Sequence, residues 1–99
     1  MPGENGNREK KMKHKEDFIM QNVGGENLLV PLGAQVMNLN GLIILNDTGR
    51  CVWELLDEER SLDELTTAVV KRFSVTAEIA RADVQTFLNE IAGMGLLEG

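Results

Sequence analysis

Leu42, Ile43, Ile44 and Leu45 form a run of four apolar residues closed by Asn46. Four in a row is too short for a helix and reads as a strand. Asn46 is a favoured helix N-cap, and Asp47 beside it suits the positive end of a helix dipole. The chain therefore passes from a strand directly into a helix. That helix carries the only tryptophan, Trp53. Val52 and Leu56 share a face with Gly49, and Trp53 sits next to them around the helix.

On either side of this junction the punctuation is regular. Residues 18–23 and 26–32 are short apolar-rich segments separated by Gly24-Gly25, a pair that supplies the positive φ angles of a tight hairpin. Pro31 cannot donate to a ladder, which places it at the end of the second strand or on an outer side. Gly33-Ala34 turns the chain, and residues 36–39 either extend the second strand or make a minor one before Asn40-Gly41. Downstream, Ser61-Leu62-Asp63-Glu64 is a capping box, and Leu62, Leu65, Val69 and Phe73 recur at helical spacing. Ser74-Val75-Thr76 interrupts this second helix. Thr76 caps a third, whose Ala80, Val84, Phe87, Leu88 and Ile91 form a continuous stripe. Gly93 and Gly95 favour a stop, after which Leu96-Leu97 folds back as a closure. The pattern is α+β, a small three-stranded antiparallel sheet followed by three helices, winged helix-turn-helix-like.

Residues 1–16 have no apolar periodicity and are rich in Gly, Asn, Lys and Glu. They read as a disordered basic tail, leaving residues 17–99 as one small domain. The tail sets Arg8, Lys10, Lys11, Lys13 and Lys15 against Glu4, Glu9 and Glu16, a net +2; the chain's −6 then leaves −8 on the rest. A domain so acidic repels a phosphate backbone, which argues against nucleic acid as its partner. No run approaches the roughly 18 apolar residues of a membrane span, and no apolar signal-peptide core is present. A single cysteine, Cys51, excludes an internal disulfide and fits a reducing compartment, so the expected location is the cytoplasm.

Catalytic chemistry is not in evidence. The only histidine, His14, lies in the tail, where it can join neither a triad nor a metal cluster. Cys51 has no CxxC neighbour and reads as a small buried hydrophobe. Glu58-Glu59 and Asp63-Glu64 are solvated charge without a partner base. Gly24-Gly25 lacks the spacing of a phosphate loop. Trp53 reads as a core anchor rather than a ligand platform, and Met20, Met37 and Met94 as gap-fillers rather than an adaptable binding surface. The expectation is a protein that is not an enzyme and has no metal or organic cofactor.

The Leu45-Asn46 junction, the segment Trp53-Glu54-Leu55-Leu56, and the closing Asp83-Val84-Gln85-Thr86-Phe87-Leu88 with Gly95-Leu96-Leu97-Glu98 occur in an order and spacing that resembles the PqqD family, also described as RiPP recognition elements. The resemblance spans residues 17–98. It implies a three-stranded sheet on three helices. It also implies a non-catalytic chaperone that holds the leader of a ribosomally made precursor peptide and presents it to a modifying enzyme, often a radical SAM protein. The leader is implied to pair as an added strand in a cleft between the third strand and the third helix. By position that falls on Leu42, Ile43, Ile44 and Leu45, and on Val84, Phe87, Leu88 and Ile91. Residues 36–41 stand as an extra stretch relative to the shortest family pattern. An open strand edge also allows a homodimer. Two other readings are a winged-helix transcriptional regulator, disfavoured by charge, and an adaptor that docks an enzyme without touching peptide.

Overall fold

The computed structural model describes residues 10–16, 18–32 and 43–98. Its elements run β1 (Lys11–His14), β2 (Phe18–Val23), β3 (Glu26–Pro31), β4 (Ile43–Leu45), α1 (Asp47–Leu55), β5 (Arg60–Ser61), α2 (Leu62–Phe73), α3 (Ala77–Gly93) and β6 (Leu97–Glu98). The class is α+β, as the pattern implies. Leu42 and residues 36–41 lie outside the described residues.

Gly24 and Gly25 take φ values of 62° and 89°, the two positive angles that let β2 turn into β3 without splaying. The pair is antiparallel from Val23↔Glu26 to Phe18↔Pro31, so the proline stands at the end of the ladder. β4 joins the other side of β3 with Leu28 opposite Ile44, giving the order β2-β3-β4. Side chains alternate across this sheet. Phe18, Leu29 and Leu45 enter the core, whereas Ile19, Val23 and Ile44 face outward.

The helices begin and end where their caps dictate. Asn46 Oδ1 accepts from the Gly49 N–H at 2.7 Å. At Ser61 the capping box is complete, its Oγ accepting from the Glu64 N–H and its own N–H donating to Glu64 Oε1. α2 stops at Ser74, a non-glycine residue at φ 55°. Thr76 Oγ1 caps α3 through the Ile79 N–H. α3 ends in a Schellman turn: Leu96 N–H donates to Ile91 O, Gly95 N–H to Ala92 O, and Gly95 sits at φ 78°. The turn drives Leu96 into the core, in one cluster with Leu29, Val52, Leu56, Leu65, Val69, Val84 and Ile91, all closed to solvent.

The N-terminal reading requires correction. A disordered tail through Glu16 is the sequence expectation, yet Lys11–His14 is the central strand of a second sheet, β5-β1-β6. Lys11 pairs with Ser61 and Met12 with Arg60 on one side, Lys13 with Glu98 and His14 with Leu97 on the other. Backbone bonds from His14 N–H to Leu56 O and from Lys15 N–H to Leu96 O continue the attachment. The cause is a period of two hidden by charge. Met12 packs on the core and His14 is buried, while Lys11 is exposed and Lys13 half-buried.

Candidate functional site: the groove between β4 and α3

β4 is bonded to β3 along one edge, and its other edge has no strand partner among the described residues. An edge of this kind presents unpaired N–H and C=O groups. Across from it runs α3, and between them lies a groove of about 250 Å³. Ile44, Leu45, Asn46, Thr48 and Gly49 line one side, and Asp83, Thr86, Phe87 and Glu90 the other.

Its floor is a close contact. A Cβ built on Gly49 would lie 3.1 Å from Phe87 Cε1 and 3.2 Å from Phe87 Cδ1. Only a residue without a side chain lets the ring settle this deeply against α1. Phe87 is 7% exposed, so the ring is anchored in the core and offers an edge to the groove.

The strand edge is held in place by a buried amide. Asn27, on β3 opposite Leu45, is 3% exposed. Its Nδ2 donates to Leu45 O at 3.2 Å and Asp47 Oδ1 at 3.3 Å. Its Oδ1 accepts from Asn22 Nδ2 and Arg50 Nη1, each at 3.0 Å. One side chain thus ties the hairpin, the end of β4 and the start of α1. No buried side-chain polar atom among the described residues lacks a partner.

The structure brings together part of the residue set expected from sequence. Ile43, Ile44 and Leu45 are on the open edge and Phe87 faces it; Leu42 lies outside the described residues. Val84, Leu88 and Ile91 turn into the core and support α3 from beneath. In their place α3 offers Asp83, Thr86 and Glu90. Seven residues are close to two turns, so Asp83 and Glu90 share a face. Neither carboxylate has an ion-pair partner among the described residues.

A larger cleft, about 510 Å³, lies on the opposite side of α3 among Lys10, Met12, Leu62, Arg81, Gln85 and Asn89. An Arg81–Asp63 ion pair at 2.8 Å is part of its wall. Of the strands bordering it, β5 and β6 have two residues each and the four-residue β1 is paired on both sides, so little ladder is left for an added chain. Size therefore does not decide between the two clefts; the available backbone edge favours the smaller.

Trp53 is buried in the core, edge-on to Phe18 and parallel to His14. Cys51 is buried on α1, where burial pushes its thiol up; Arg72 opposes the rise and Glu54 adds to it. A thiol held protonated is a poor nucleophile. Among the described residues no three of His, Cys, Asp and Glu converge as a metal site, and no helix is long and apolar enough to cross a membrane.

A family model described as coenzyme PQQ synthesis protein D (PqqD) matches residues 33–97. Among solved structures, TbiB1 in complex with the TbiA(β) leader peptide is 25% identical with a TM-score of 0.67, over 88% of this chain and 95% of that one. The solution NMR structure of the PqqD truncation of Methylobacterium extorquens PqqCD, described as a functional and stand-alone RiPP recognition element, has a TM-score of 0.69 at 15% identity. That match covers 90% of this chain and 89% of the other, and speaks for the fold. Comparison with curated proteins gives no match.

Proposed function

The chain belongs to the PqqD family, and we propose that it is a peptide chaperone: it binds the leader of a ribosomally made precursor peptide along the open edge of β4 and presents it to a modifying enzyme. The observation that carries this reading is the unpaired β4 edge facing Phe87 and α3 across a groove, in a fold that TbiB1 shares with a leader peptide bound. An extended peptide satisfies the edge by strand addition, and every second side chain then meets the groove. Each new backbone bond adds about 1 kcal/mol net and each buried aliphatic side chain about 1.5–3 kcal/mol. Ordering the peptide removes a few kcal/mol of this, which places the complex near the micromolar range. A carrier that must release its cargo is served by that strength.

In this reading Ile43, Ile44 and Leu45, with Leu42 before them, supply backbone groups. Phe87 supplies apolar contact, while Val84, Leu88 and Ile91 hold α3 at its distance. The protein catalyses nothing itself; the modifying enzyme, of the radical SAM class or another, acts on the presented core peptide in the cytoplasm. Without cargo, the β4 edge is available to a second copy of the chain.

Amide-resolved NMR titration with the leader of a candidate precursor peptide tests the proposal. Shifts centred on Ile43, Ile44, Leu45, Thr86 and Phe87, saturating at micromolar peptide, are expected. Absence of shifts there at a hundredfold higher concentration would overturn it.

A further inference from the structure

We propose that this groove selects peptides that carry basic side chains on both flanks of an apolar one, an inference that rests on the strand-addition reading above. Asp83 and Glu90 are exposed on the groove face of α3, and no Lys or Arg lines that groove. From Ala82 to the end of α3 at Gly93 there is no basic residue, so nothing further along the helix offsets them.

The spacing fixes the pattern. Asp83 and Glu90 are seven residues apart, about 10.5 Å along the axis, with Phe87 between them. On an added strand, side chains facing α3 recur every second residue, about 6.7 Å apart, and positions i and i+4 are about 13 Å apart. The flexible stems of Lys or Arg absorb the difference of about 3 Å. Where the added strand runs along α3, a peptide with a basic residue at i, an aliphatic one at i+2 and a basic one at i+4 would set its aliphatic group at the Phe87 ring and one cation within reach of each carboxylate. Acidic residues at i and i+4 would meet like charge and be rejected.

Three synthetic peptides with the same alternating aliphatic core test this, differing only in Lys, Gln or Glu at the two flanking positions. Binding to the full chain is followed by fluorescence anisotropy at low and high salt. The Lys peptide is expected to bind about three- to tenfold tighter than the Gln peptide, and the Glu peptide weakest, with the ranking compressed at high salt. The double variant Asp83→Asn, Glu90→Gln should bind all three alike, whereas the charge-matched double variant Glu58→Gln, Glu59→Gln, in an exposed turn away from the groove, should keep the ranking. Circular dichroism confirms that each variant is folded. Equal binding of the three peptides to the unaltered chain would overturn the charge selection and leave strand addition standing. A ranking that survives in the double variant would overturn it as well. If none of the three binds while the leader peptide shifts the groove amides, the proposed pattern is wrong; if neither does, strand addition itself falls.

Discussion

The His14 imidazole lies flat against the Trp53 indole, 4.1 Å between ring centroids and 2° between planes. Its Nδ1 donates to the Lys15 carbonyl at 2.7 Å, and its Nε2 lies 2.7 Å from Oδ1 of Asp57. A residue near the start of the chain thereby closes over the only tryptophan and fastens the turn after α1.

Replacing His14 with Ala removes the stack and both polar contacts at a buried position. It should cost about 2–4 kcal/mol, seen as a lower denaturation midpoint, and should change the Trp53 fluorescence spectrum of the native state. Asp57→Asn should cost far less, because Asp57 is largely exposed and the ring can keep its stack. Deleting residues 1–16 should be at least as damaging as His14→Ala, whereas deleting residues 1–9 leaves β1 in place and should be milder. A midpoint unchanged by the longer deletion would show that β1 contributes nothing.

Gly49→Ala separates binding from folding. Gly49 lies in the first turn of α1, where replacing glycine gains less than the roughly 1 kcal/mol of a helix interior, and the new methyl meets the Phe87 ring at 3.1 Å and the capping Asn46 Oδ1 at 3.2 Å. The ring borders the groove, so the few tenths of an ångström it must yield are expected to be taken on that side. Thermal stability should therefore change by no more than about 1 kcal/mol, while affinity for a strand-adding peptide falls severalfold in the same anisotropy assay.

Asn27→Leu deletes the hub that joins Asn22, Leu45, Asp47 and Arg50. It should lower stability by about 1–3 kcal/mol, the loss expected when buried groups are left without partners. Amide exchange should speed up first in β4, ahead of global unfolding, because the tie between β4 and α1 is local.

The Cys51 thiol is raised above its ordinary 9.0, chiefly by burial. As pH climbs past 9.0, the unfolded thiol ionises while the folded one stays protonated. The contribution of Cys51 to stability is thus whole below that pH and is lost between 9.0 and the higher folded value. Urea midpoints of the native chain should fall more steeply above pH 9.0 than those of Cys51→Ala. Alkylation of the folded protein at neutral pH should be slow.

Much of this architecture follows from local chemistry. The Gly24-Gly25 hairpin, the Asn46 and Thr76 caps, the Ser61–Glu64 box and the Gly95 turn each depend on a few adjacent residues, and each is where its residue types place it. β1 escaped because Lys-Met-Lys-His carries one plainly apolar residue, and a histidine buried by stacking looks polar in a sequence. Asn27 escaped for a related reason: its four partners come from β2, β4 and α1, and no short spacing announces them. For α3, the apolar stripe marks the core, whereas a groove is lined by the flanks of such a stripe. Asp83, Thr86 and Glu90 are those flanks, and only the position of β4 reveals which flank matters.

β1 and β6 run side by side, Lys13 against Glu98 and His14 against Leu97. The chain therefore enters and leaves the fold through adjacent doors, on the side of α3 turned away from the groove. A unit with that geometry can be spliced into the loop of a larger protein, or circularly permuted with a short tether, at little conformational cost. In the spliced arrangement, the host would be tethered on the far side of α3, leaving the approach to the groove clear.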